Sequence, residues 1–120
     1  MLTVGGEAPE IYKRLLAEFE QVARQAGKDL SSMPRLIELT VGYSENARAE
    51  IAMYMKYWGG ATIPALYGQK IYTPAMTQQN GAVVGVETLT RKGCFSTDPD
   101  EHTQFLRKYR ETGFTHLYLH

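Results

Sequence analysis

Cysteine, long apolar runs and an excess of either charge are what this 120-residue chain is short of. Cys94 stands alone and cannot close an internal disulfide, which fits a reducing compartment. No apolar run approaches the ~20 residues that span a bilayer. The start, Met1-Leu2-Thr3-Val4-Gly5-Gly6, has neither the charged nor the apolar region of a secretory signal. The expectation is a soluble cytoplasmic protein with no membrane partner. With 13 basic and 13 acidic residues the formal charge is zero, so the electrostatic footprint of a nucleic-acid binder is missing. Also missing are a phosphate loop of the G-x-x-x-x-G-K-[ST] type, a G-x-G-x-x-G after a strand, and any Cys or His cluster with zinc spacing. No metal site and no catalytic residue emerges from motif spacing.

What is present is an alternation of short strands and amphipathic helices. Leu2-Thr3-Val4 reads as a strand broken by Gly5-Gly6, with Pro9 placed where a first helical turn tolerates it. The helix that follows repeats Ile11, Leu15, Phe19, Val22 and Ala26 at steps of three and four, and Gly27 stops it. One face is expected to bury against a sheet. Residues 35–43 alternate with a period of two and form the next strand. Ile37, Leu39 and Val41 should meet the helices, while Leu36, Glu38 and Thr40 look into a barrel interior or cleft. Glu38 is then an inward carboxylate; the alternative is a solvated edge-strand glutamate. Ser44 is the expected N-cap of a helix carrying Ala47, Ile51, Met55 and Trp58 on one stripe. That stripe reads as core, not as a cofactor box.

Residues 59–93 hold Pro64, Pro74 and only short apolar runs, too long a stretch for an ordinary connection. Ile63, Leu66, Tyr67, Ile71, Tyr72 and Met76 argue for an ordered insertion with a short helix at residues 86–92. Lys70, Tyr72, Arg91 and Lys92 are its candidate ligand-facing groups, against the plainer reading of solvated surface. Residues 94–96 can extend. Asp98, Pro99 and Glu101 then open a helix with a capping-box pattern; Phe105, Leu106 and Tyr109 form its buried stripe, and Gly113 ends it before a strand at residues 114–120.

Strands alternating with helices of this length imply parallel pairing through right-handed crossovers. The fold class expected is α/β, a partial (β/α)8 barrel made of three parallel strands with their helices and an insertion at 59–93, in a single domain 1–120. A complete barrel needs roughly 200 residues or more, so these 120 residues are expected to form only part of one. Parallel barrels keep their chemistry at the carboxyl ends of the strands. Thr3, Gly5 and Gly6 lie there after the first strand, where adjacent amides before a helix suit an anion or a ligand phosphate; the alternative is a plain βα turn. His120 lies at the carboxyl end of the last strand. His116, on the same strand, and His102, in a first helical turn, read as packed and exposed residues respectively, and Cys94 as a small apolar one.

The run Leu2 to Gly6 with Pro9-Glu10-Ile11-Tyr12, then Met33-Pro34-Arg35-Leu36-Ile37-Glu38, residues 47–58, Gln69-Lys70, Ser96-Thr97-Asp98-Pro99-Asp100-Glu101 and Gly113-Phe114-Thr115-His116-Leu117-Tyr118-Leu119-His120 together resemble the C-terminal part of the luciferase-like flavin or deazaflavin oxidoreductases. The branch most resembled is that of the F420-dependent glucose-6-phosphate dehydrogenases. The resemblance implies that residues 2–4, 35–43 and 114–120 are strands six, seven and eight of the barrel. It implies coenzyme F420, with FMN as the alternative or neither in the isolated chain, and hydride transfer to or from a small-molecule substrate. Within that picture the residues singled out above become candidates, Thr3, Gly5 and Gly6 for the cofactor and Glu38, Lys70, Tyr72, Arg91, Lys92 and His120 for the substrate side. The family's proton donor and acceptor, and most of its cofactor contacts, lie on the first five strands and carry over to no position here. Lys92 stands where an arginine binds phosphate in that branch, whereas Val4, Glu7 and Gln79 replace its threonine and two lysines, a set less suited to a sugar phosphate.

Two functions follow: a portion of an F420- or flavin-dependent oxidoreductase, inactive alone, or a non-catalytic module. Three parallel strands leave two open edges and one uncovered face, which should drive pairing with another copy, so a homo-oligomer, a dimer, is expected.

Overall fold

A computed structural model describes residues 1–62, 68 and 73–120. The chain divides into two compact units, Met1–Val41 with Asp100–His120, and Gly42–Pro99. No described helix is long and apolar enough to cross a membrane.

The first unit is a three-stranded sheet of β1 (Leu2–Val4), β2 (Leu36–Leu39) and β5 (His116–Leu119), in the order β1-β2-β5. Both pairings are parallel, with Leu2 opposite Leu36, Val4 opposite Glu38, Leu36 opposite His116, and Glu38 opposite Tyr118. The expected parallel order of the three strands is the one observed. Helices α1 (Pro9–Gln25) and α5 (Pro99–Thr112) supply the crossovers. Glu38 therefore sits on the central strand, which disposes of the edge-strand alternative.

The core of this unit joins Tyr12 and Leu16 of α1, Ile37 and Leu39 of β2, Tyr109 of α5 and Phe114, all buried. The Tyr12 ring meets Tyr109 and Phe114 edge-on at centroid distances of 5.8 and 5.6 Å, contacts worth about 0.5–1.5 kcal/mol each beyond the area they bury. Ile37 and Leu39 point into this core as their alternation predicts. The burial of α1 differs from expectation: Tyr12, Leu16 and Ala23 are buried, while Ile11 and Val22 are exposed. One residue is about 100° of helix, so the buried stripe is turned by one position toward Tyr12, whose hydroxyl has partners beneath the helix. Gly27 ends α1 at φ +65°, and Lys28 N–H reaches back to the Ala23 carbonyl at 2.9 Å, a Schellman closure that requires the left-handed residue.

The second unit begins where the expected strand 35–43 breaks. After Thr40 the chain forms a separate strand, β3 (Val41–Tyr43), which pairs with β4 (Cys94–Ser96) in a second sheet, only its first residue still bonding along the end of β5. A Cβ on Gly42 would stand 2.6 Å from the Phe95 ring, so glycine is what lets the two strands close. Helix α2 (Ala47–Trp58) is capped by Asn46, whose side chain accepts from Ala49 N–H, and not by Ser44, which accepts from Asn46 N–H at 3.1 Å. Of its expected stripe, Ala47, Ile51 and Met55 are half-buried and Trp58 is exposed. The insertion holds α3 (Pro74–Gly81), capped by Thr73, and α4 (Val86–Lys92), the short helix expected there. A Cβ on Gly60 would run into Thr77 and one on Gly81 into Gly60, so neither has room for a side chain, while a Cβ on Gly59 would fit only tightly against Gly81.

Candidate functional site

The two faces of the three-stranded sheet differ. On the face away from the core, register sets Leu2, Leu36 and His116 in one row and Val4, Glu38 and Tyr118 in the next. Leu2 and Val4 are each 64% exposed and Tyr118 58%. At the carboxyl end of this face His120 Nδ1 stands 3.8 Å from Glu38 Oε1, with both side chains about two-thirds covered. That separation is too long for a hydrogen bond and lies within ion-pair distance when the imidazole is protonated. The ladder that holds the two strands here continues past β5, with His120 N–H donating to Leu39 O at 2.9 Å and Val41 N–H donating to His120 O at 3.0 Å. Two expected site residues, remote in sequence, are thus brought together at the carboxyl rim.

Thr3, Gly5 and Gly6 also reach that rim, but the turn amides are committed inside the protein. Gly5 N–H donates to Glu38 O at 2.7 Å, Gly6 N–H to the Tyr109 hydroxyl at 3.3 Å and Glu7 N–H to the Tyr12 hydroxyl at 3.0 Å. The Tyr12 hydroxyl in turn donates to Val4 O at 2.9 Å. The expected cradle of free amides is therefore replaced by two tyrosine hydroxyls that lock the βα turn. Burial raises the pKa of both phenols above the usual tyrosine value, with their backbone hydrogen bonds opposing the shift and nearby charge adding to it. A Cβ on Gly5 would lie 2.5 Å from Leu39 Cδ2 and 3.1 Å from Glu38 O, so the turn runs directly against β2. Tyr12 and Tyr109 escaped the sequence-based reading of the site; the signal was there, since a tyrosine in a buried stripe needs a partner for its hydroxyl.

Arg91 and Lys92 close α4 in the second unit, and Arg91 Nε donates to the Glu87 carbonyl at 3.3 Å. Lys70 and Tyr72 lie outside the described residues. His116 is exposed at the amino end of β5 with its Nδ1 2.8 Å from Thr115 Oγ1. His102 is half-buried, and so is Cys94. Among the described residues no group of His, Cys, Asp and Glu gathers into a metal-holding set.

No family model matches the chain. It is 26% identical over 120 residues to the F420-dependent glucose-6-phosphate dehydrogenase of Microbacterium testaceum, covering 99% of this chain and 35% of that protein. The protein of the same description from Beutenbergia cavernae is 27% identical over 121 residues, with the same coverage. Among solved structures, an F420-dependent secondary alcohol dehydrogenase in complex with an F420-acetone adduct superposes with a TM-score of 0.83 at 26% identity, over 98% of this chain and 36% of that one. The chain spans about a third of the length of the relatives it matches. Its parallel strands and intervening helices are those of a partial (β/α)8 barrel, and the chain resembles the corresponding third of the F420-dependent oxidoreductases of the luciferase-like family.

Proposed function

We propose that the chain supplies the last three βα units of an F420-dependent oxidoreductase barrel and lines the substrate side of its mouth. The observation that carries this is the Glu38–His120 pair, 3.8 Å apart at the carboxyl ends of parallel strands on the sheet face the helices leave open, where parallel barrels place their chemistry. Such a coenzyme, with FMN as the alternative, supplies a site that gives or takes a hydride when bound. The described residues of the first unit fit the substrate end of such a site: Val4, Leu36 and Tyr118 offer apolar surface, and Glu38 and His120 offer groups that hold or exchange a proton. They do not fit its phosphate end, because the turn amides are taken by Glu38 O, Tyr109 and Tyr12. In this reading the chain orients substrate and handles a proton, and the coenzyme's phosphate is held elsewhere in the barrel. A reducing, cytoplasmic setting belongs to the proposal and rests on the lone Cys94.

The test is complementation. Joined to, or mixed with, the remaining five βα units of the Microbacterium testaceum relative, the chain is expected to restore F420 reduction that neither part shows alone. Assembly without any gain in F420 reduction rejects the reading.

A second reading, a non-catalytic module that self-associates, is favoured by the exposure of Leu2 and Val4 on a strand whose outer edge is unpaired among the described residues. Titration of the purified chain with F420 and with FMN, alongside light scattering, separates the two. Tight stoichiometric binding of either counts against the pure module, and a stable dimer that binds neither counts against an autonomous enzyme.

A further inference from the structure

Resting on the oxidoreductase reading, we propose that Tyr12 and Tyr109 are positioning residues that set where Glu38 stands at the carboxyl rim. Their hydroxyls bond to the first βα turn and to neither side chain of the Glu38–His120 pair. Three consecutive amides of that turn go to three different elements. Gly5 N–H donates to Glu38 O on β2 at 2.7 Å, Gly6 N–H to the Tyr109 hydroxyl on α5 at 3.3 Å, and Glu7 N–H to the Tyr12 hydroxyl on α1 at 3.0 Å. The Gly5 bond lies one residue past β1, so the backbone of Glu38 is gripped by a glycine in a turn.

Left to itself such a turn would be loose. Gly5 and Gly6 are adjacent residues without a Cβ, Gly6 stands at φ +107°, and glycine loses more freedom on ordering than any other residue. The two phenols supply the restraint. Each ring is 2% exposed; Tyr12 meets Tyr109 and Phe114 edge-on, and Tyr109 meets Phe105 edge-on at 5.2 Å. The hydroxyls are thus carried on rings that cannot turn away without opening a close-packed core. The Tyr12 hydroxyl spans the turn, accepting from Glu7 N–H and donating to Val4 O. The Tyr109 oxygen lies 3.6 Å from where a Cβ on Gly5 would stand, against the residue that holds Glu38 O. On the other flank β2 is held by β5, where His120 N–H donates to Leu39 O at 2.9 Å. The 3.8 Å between Glu38 Oε1 and His120 Nδ1 is therefore set from both sides of β2, by β5 on one and by the tyrosine-locked turn on the other. Small displacements of a positioned group cost rate steeply.

The experiment is native-state hydrogen exchange on the intact chain, reading the Gly5 amide, which Glu38 O protects, against the His120 amide, which Leu39 O protects. In Tyr109→Phe the Gly5 amide is expected to exchange at least about tenfold faster relative to that of His120. Tyr12→Phe should act in the same direction, and if it fails to fold, Tyr109→Phe carries the test. A role in stability alone speeds both amides by the same factor; that result, or no change at Gly5, overturns the proposal. The rim pair gives a second reading by nuclear magnetic resonance. Glu38→Gln is expected to move the His120 ring signals in the parent chain, and to move them about half as much or less in the Tyr109→Phe background. An equal movement in both backgrounds, or none in the parent, also overturns it. Failed complementation with the Gly5 response intact removes the oxidoreductase reading alone, whereas working complementation with Gly5 and His120 accelerated equally removes this inference alone.

Discussion

The hydroxyl of Tyr12 donates to Val4 O and accepts from Glu7 N–H, so Tyr12→Phe keeps the ring contacts and strips a carbonyl and an amide of their partner. A loss of about 1–3 kcal/mol in urea denaturation is expected. The same phenol makes stability depend on alkaline pH. Its folded pKa, and that of Tyr109, lies above the ordinary 10.0 because burial disfavours the phenolate. The stabilisation is complete below the unfolded value and disappears as pH rises through the folded one. Denaturation midpoints should hold up to about pH 10 and then fall, and this alkaline limb should flatten in Tyr12→Phe with Tyr109→Phe; an unchanged limb would refute the assignment. Two glycines offer a contrast of mechanism. Gly5→Ala drives a methyl against Leu39 Cδ2 and Glu38 O and should cost about 1–3 kcal/mol by overpacking. Gly27→Ala meets nothing within 4 Å but must hold φ +65°, a strain of about 1–2 kcal/mol. Thermal melts of both variants check the pair, and only Gly5→Ala should also disturb Glu38.

At the scale of elements, α1 separates the two stripes that its sequence offers. Leu16→Ala should destabilise by about 2–5 kcal/mol, as a buried leucine does, and Val22→Ala by no more than about 0.5 kcal/mol, as an exposed position does. Equal costs would restore the stripe through Ile11 and Val22. That stripe looked persuasive because Leu15 and Phe19 border both faces, and because apolar counting passes over Tyr12, whose burial depends on acceptors and donors in a turn several residues earlier. The strand and helix order, the parallel pairing, the helix at 86–92 and the packing of Ile37 and Leu39 against the helices were legible, since each rests on local periodicity, glycine stops or capping residues. The break after Thr40 was not, because it depends on Cys94–Ser96 arriving beside Val41–Tyr43 from far along the chain. Ser44 and Asn46 are both sound caps by composition, and only the backbone shows which one faces Ala49 N–H. At the site, Glu38 was readable as an inward carboxylate and His120 as a rim residue, but their proximity follows from the register between β2 and β5, which no local pattern encodes.

The whole molecule presents two unpaired strand edges in its larger sheet among the described residues and a face on which Leu2, Val4 and Tyr118 are exposed. In water such a surface favours association, and light scattering on the isolated chain is expected to report a dimer. Val4→Lys, which leaves the core untouched and places a charge on that edge strand, should shift the population toward monomer; a monomeric, well-folded parent chain would end the argument. The sheet also draws its strands from both flanks of the second unit, with β1 and β2 before residues 42–99 and β5 after them. On a ribosome, then, β2 receives its first neighbour early and its second only when residues 116–119 emerge, a wait of several seconds at about 5–20 residues per second. Throughout that interval the central strand of the finished sheet is an edge, so the nascent chain is open to mispairing at the very strand that later bears Glu38.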